Sequence, residues 1–294
     1  MHETSTSAAN RALRTLATVA VITVAVALSA IGTGQTALAQ HAYPTPEAAA
    51  AALGDAIARS DDAELGVVLG PNYKPLVPQG GVHQDDIYAF LAAWARHHAI
   101  EPDGERRARL AVGDSGWTLP MPLVKTAAGW RFDLVAGKQE IHRRKIGRNE
   151  LAAIDTLHQV ADAQQRYAEQ VGGGRYASRL VSSAGKTDGL YWPAADQADA
   201  SPLGPDALAM GPDTPPDAAF HGYYFRLLPA ARGGDPKYAV VAWPTQYGKT
   251  GVNTFVMGSD GVVYQRDLGQ ATASRAKALR TLTPDDGWGR VPEH

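Results

Sequence analysis

Several short strings in the chain carry residue types that do chemistry elsewhere, and their spacing decides each case. Gly113-Asp114-Ser115-Gly116 has the form of a nucleophilic serine segment. Too few residues precede it to supply the barrel and the His of a triad, so it reads as a turn. Gly185-Lys186-Thr187 and Gly248-Lys249-Thr250 both end like a phosphate loop, but the Gly required five residues earlier is Leu180 in one and Trp243 in the other. His97-His98, placed at the end of a helix, would point about 100° apart and share a metal poorly; they read as cations at a helix C-terminus. Asp85-Asp86 reads as a helix cap rather than a carboxylate dyad, by the same adjacency. The basic run Arg143-Arg144-Lys145 with Arg148 reads as a solvated helix face.

The aromatic and His residues of the second half are harder to dismiss. Tyr191, Trp192, His221, Tyr223, Trp243 and Tyr247 fall in or beside a Gly/Pro-rich stretch and at strand ends. Exposed aromatics at such places stack on sugars or peptides. These residues are the candidate partner-binding set, with covering a small sheet as the alternative. The residues show no nucleophile–base–orienter set and no metal-ligand spacing, so no catalytic, cofactor-binding or metal site is expected.

The 294 residues, 45% hydrophobic and 20% charged, are globular in composition. Zero Cys excludes disulfides, thiol catalysis and Cys-based metal sites, and a net charge of −2 gives no reason to expect nucleic acid. Arg11 and Arg14, the apolar run Leu16–Ile31 and Ala37-Leu38-Ala39 form a signal peptide, with cleavage expected between Ala39 and Gln40. The mature protein is then expected to be exported, periplasmic or extracellular, without a membrane span.

The rest must position the candidates. Thr45-Pro46 starts a helix striped by Ala49, Leu53 and Ile57. Asp61 caps a second bearing Leu65, Val68 and Leu69, and Asp85 or Asp86 a third with Ile87, Phe90, Leu91 and Trp94. Strands are expected at 107–112, 117–125 and 129–134. A long helix spans 137–170, striped by Leu151, Ile154, Leu157/His158, Ala161 and Tyr167/Ala168, and ends at Gly172-Gly173-Gly174. Gly147, inside it, marks a kink or close packing where two modules meet. Residues 185–250 hold 8 Gly and 9 Pro, the mark of a long irregular connection. Its part from Gly185 to Phe220 is read as an ordered binding loop anchored by Tyr191, Trp192 and Leu203. Strands follow at 223–228, 238–243, 253–257 and 262–266, the last pair joined by Asp260-Gly261. The expected fold class is α+β: N-terminal helices and an antiparallel meander, cone-like in the nuclear-transport-factor-2-like or cystatin-like manner, then a long helix on a four-stranded antiparallel sheet. The domain reading is 1–39 signal peptide, 40–146 and 147–294.

Six stretches together resemble the domain-of-unknown-function 2950 family of exported bacterial proteins. They are Trp117–Val124, Lys145–Leu151, Asp188–Pro193, Ser201–Pro205, Phe220–Phe225 and Asp260–Gly269. The second half also resembles the globular heads of pseudopilins and type IV pilins, through Ala163–Tyr167, Tyr176, Tyr247–Phe255 and the Asp260-Gly261 hairpin. Pilins run their apolar anchor directly into the spine helix, whereas here about 110 residues intervene. The expected function is a non-catalytic binding or structural role in the cell envelope, with an envelope protein or glycan as partner. The alternative is an enzyme or small-ligand binder using a pocket in the first module lined by Trp94, Trp117 and Trp130.

Overall fold

The computed structural model describes residues 40–77, 82–194, 200–230, 236–282 and 287–292. Residues 1–39, where the signal peptide is expected, lie outside the described residues. The fold is α+β, and the chain divides into two compact units between Ile141 and His142.

The first unit opens with Gln40, whose side-chain amide donates to the carbonyls of Phe132 (2.8 Å) and Val68 (3.3 Å). Helix α1 (Pro46–Ala58) starts as its sequence dictates: the Thr45 hydroxyl accepts from Ala48 N–H at 3.1 Å, and Pro46 needs no donor there. In α2 (Asp62–Leu69) the Asp61 carboxylate accepts from Glu64 N–H at 2.9 Å. Helix α3 (Gln84–Arg96) starts one turn off the expected cap: His83 precedes it, and Asp86 instead accepts from the His83 N–H at 3.2 Å. His97 is the extended residue that ends α3, its N–H donating to the Ala93 carbonyl, and His98 opens a strand, so the His pair stands at the expected helix end and leads directly into the sheet. The His98 ring lies flat on Trp94, 4.4 Å between centroids.

Strands β1 (His98–Pro102), β2 (Arg107–Val112), β3 (Leu123–Thr126) and β4 (Gly129–Phe132) form an antiparallel sheet in chain order. β1 was not legible in the sequence. The strand expected at 117–125 is short because Pro120 and Pro122 offer no N–H to a ladder; only Thr118 bridges to Ala111 before Leu123. Leu53, Ile57, Leu65, Leu69, Leu110, Leu123 and Phe132 are all buried, each contributing about 1.5–3 kcal/mol by leaving water. The Tyr73 hydroxyl donates to the Asp62 carboxylate, which also binds Lys74 Nζ at 2.6 Å. Burial would raise the Asp62 pKa, but the bonds from Lys74 and Tyr73 outweigh it and hold the carboxyl below its ordinary range.

Helix α4 (Leu134–Gln170) begins at Asp133, whose carboxylate accepts from Val135 and Ala136 N–H. The close approach expected at Gly147 falls elsewhere: space around Gly147 is open, whereas a Cβ on Gly137 would sit 2.4 Å from Met121 Cγ. In the second unit the buried face of α4 is Ala153, Leu157, Val160, Ala163, Tyr167 and Ala168; the expected Ile154 and Ala161 pack on its margin, and Leu151, 56% exposed, departs from the expected stripe. The helix ends in glycines that adopt positive φ, Gly173 at 58° and Gly174 at 85°.

The second sheet runs β5 (Tyr223–Leu228), β6 (Ala239–Pro244), β7 (Asn253–Gly258), β8 (Val263–Asp267) and β9 (Gly289–Arg290), all antiparallel. It has a fifth short strand beyond the expected four, and it is covered on both faces. Tyr223, Phe225, Val240, Ala242, Phe255 and Met257 share a core with α4. Tyr224, Val241, Trp243 and Val256 pack on the other face with Ala276 of a second helix, α5 (Thr272–Ala278). Double coverage is why β6 is buried along its whole length and reads as a continuous apolar run.

Candidate ligand-binding groove

The Gly/Pro-rich connection is held by side chains of α4. Gln164, wholly buried, bonds both ways to the Ala177 backbone, at 3.0 Å and 2.8 Å. Arg166 donates to the Pro202 carbonyl (2.7 Å) and the Tyr167 hydroxyl to that of Thr187 (2.9 Å). Within the connection the Asp188 carboxylate accepts from Ser183 N–H and hydroxyl, at 2.7 Å and 2.9 Å. The backbone bond from Ser183 is the chief reason its carboxyl stays below the ordinary range. Leu203 N–H reaches the Leu190 carbonyl (2.8 Å), and Leu190, Leu203, Ala207 and Met210 turn inward and are buried. The described part of Gly185–Phe220 thus has buried anchors, among them Leu203.

This folding back leaves an open groove of about 720 Å³. One wall is Ser178–Val181 and the other Ala207–Pro215, and the outer edge of β5 at Phe225–Leu227 lies between them. Leu208 overlooks it with 58% of its surface exposed. Arg179 and Asp213 line it too. The Arg226 guanidinium, by contrast, donates to the carbonyls of Ala276 (3.0 Å) and Leu279 (2.9 Å) at the end of α5. A smaller hollow of about 400 Å³ lies between α4 and the β8–β9 end, lined by Leu151, Asp155, His158, Val262 and Arg290 among others. The exposed Leu151 that departed from the core stripe faces it.

The six aromatic and His candidates do not form one surface. Tyr223 and Trp243 are fully buried on opposite faces of the sheet, because neighbours on paired strands alternate sides. Among the described residues Trp243 Nε1 has no hydrogen-bond partner, nor has the buried Thr254 Oγ1 on β7. Tyr191 and Trp192 lean half-buried on the helix–sheet core. His221 is exposed, in the left-handed region at φ 50°, its ring 4.2 Å from that of Phe220. Tyr247, half-buried, donates to Asp267 Oδ2 at 3.1 Å.

Sequence reading missed the residues that tie the β6–β7 connection to α4. The Glu150 carboxylate accepts from Val252 N–H (2.8 Å) and Asn253 N–H (2.9 Å). Asn149 donates to the Thr250 carbonyl at 2.8 Å, and the His142 ring meets that of Gly248 at 2.7 Å. Tyr223 fixes the same turn from below, its hydroxyl donating to the Asn253 carbonyl at 3.0 Å. A Cβ on Gly251 would lie 2.0 Å from that hydroxyl. Burial, and then the nearby Glu150 charge, push the Tyr223 phenol up. The spacing Asn149-Glu150 beside Tyr247–Asn253 held the signal, but only tertiary contact reveals it. Among the described residues no three His, Asp or Glu side chains gather as a metal-ligand set.

Fold and site together define a two-unit α+β protein whose second unit carries a loop-walled groove at a sheet edge. The chain belongs to the family described as "Protein of unknown function (DUF2950)", whose model matches residues 40–291. No curated protein and no solved structure matches it, so the likeness to pilin heads rests on the quoted residues alone.

Proposed function

We propose that the protein is an exported, non-catalytic binding protein of the cell envelope, and that the groove beside β5 is its binding surface. One observation carries the reading: the Gly/Pro-rich connection turns its anchors inward yet leaves an open 720 Å³ groove with Leu208 unburied. An open concavity with an apolar residue on its rim offers contact area to a ligand. Export is supported by the signal-peptide pattern of the sequence. Among the described residues no helix is long and apolar enough to cross a membrane. The alternative of a pocket in the first unit has less support. Trp94 and Trp117 pack on Phe90 at 5.8 Å and 6.3 Å, and a Cβ on Gly54 would meet Trp94 at 2.9 Å. Those rings fill space rather than line it.

The test is a pull-down from envelope proteins and envelope glycans with residues 40–294, wild type against Leu208→Asp. The expected result is a partner captured by the wild type and lost by the variant. A partner indifferent to Leu208→Asp overturns the groove as the surface. N-terminal sequencing of the secreted chain should begin at Gln40; recovery of the full-length chain in membranes overturns export with cleavage.

A further inference from the structure

We infer that the groove takes an extended segment of another protein, added as a strand along the outer edge of β5; this rests on the binding role proposed above. Phe225 donates its N–H away from β6, to the Met210 carbonyl at 2.8 Å. Strand alternation then turns the Phe225 carbonyl and both the N–H and carbonyl of Leu227 the same way. None of these groups has a partner among the described residues. A donor and two acceptors at strand spacing complement the main chain of an extended peptide, and an open edge of this kind is a template for pairing.

The walls specify the side chains. The half-buried Val181 and the exposed Leu208 offer apolar contact on the flanks of the edge. Arg179, its side chain 52% exposed, stands on one wall, bonded there to Ser183 Oγ at 2.7 Å and 3.9 Å from Asp188, and the exposed Asp213 stands on the other. The complementary occupant is a segment with apolar residues at alternate positions and an acidic and a basic side chain facing Arg179 and Asp213. The main chain gives affinity, and the wall contacts select the sequence.

The experiment pans a library of short linear peptides against residues 40–294. The expected result is enrichment of alternating apolar sequences, with affinity falling about tenfold or more in Leu208→Asp and holding in Leu151→Asp at the separate hollow. Methylating the backbone nitrogens of a selected peptide one at a time should abolish binding at one parity and spare the other. Panning on Asp213→Lys should replace the selected basic residue by an acidic one. Equal sensitivity at both parities, no enrichment over an unrelated bait, or a self-associated dimer that buries Leu208 each overturns strand addition. If the envelope pull-down still depends on Leu208 while no peptide is enriched, the groove binds something else and only this inference falls. If the pull-down captures a partner that ignores Leu208, the groove falls as the binding surface and this inference with it; if it captures nothing, the binding reading itself falls.

Discussion

At the connection between β6 and β7, Glu150, Asn149 and His142 reach from α4 to the backbone of residues 248–253 and answer it group by group. At the outer edge of β5, side chains of the same helix secure the Gly/Pro-rich loop at Ala177, Thr187 and Pro202 but stop short of the strand. There the Leu227 N–H and carbonyl are left without partners among the described residues. Both regions belong to the second unit, beside strands of the same sheet. The difference is whether a long polar side chain on a neighbouring helix lies within reach, and that separates a sealed turn from an edge open to binding.

The comparison breaks most severely at Gly251. Gly251→Ala drives a methyl into the Tyr223 hydroxyl, and we expect a loss of about 3 kcal/mol or more in chemical denaturation, since the neighbour is a buried ring that cannot yield. Glu150→Ala frees the backbone N–H groups of Val252 and Asn253, with an expected loss of about 2 kcal/mol by the same measurement. A variant as stable as wild type would show that water replaces the carboxylate. Thr254→Val removes a buried hydroxyl that has no partner among the described residues, so stability should rise by about 1 kcal/mol; a fall would reveal a bonded water there. Leu208→Asp should change stability by less than about 0.5 kcal/mol while abolishing partner capture. A large drop in its melting temperature would make Leu208 a packing residue and erase the contrast.

Local rules made much of the fold legible. The caps at Thr45 and Asp61, the stop at Gly172–Gly174 and the strands from Tyr223 onward follow from residue type and period. What escaped depends on partners distant in sequence. β1 is a mixed segment, His-Ala-Ile-Glu-Pro, that becomes a strand only through its register with β2. The stripe on α4 holds at Leu157, Tyr167 and Ala168 but not at Leu151, apolar yet exposed, and period alone does not show that the polar Thr156 and Gln164 are buried. The aromatic set was misjudged because a sheet covered on both faces buries aromatics on each, and nothing in the sequence announced α5 as the second cover.

The buried phenols give the molecule a built-in optical titration. Burial first, then the bond to Asp62, raises the Tyr73 pKa; burial raises that of Tyr223, and pushes Tyr238 up to about 12. Each phenol holds its proton more tightly folded than unfolded. The stability they contribute is therefore complete below a pH of about 10, the value for a free tyrosine, and is lost progressively above it. In an alkaline ultraviolet titration these tyrosines ionise late, and together with unfolding. Because Tyr73 belongs to the first unit and Tyr223 and Tyr238 to the second, the delayed phenolate signal arrives in one step if the units open together and in two if they open apart.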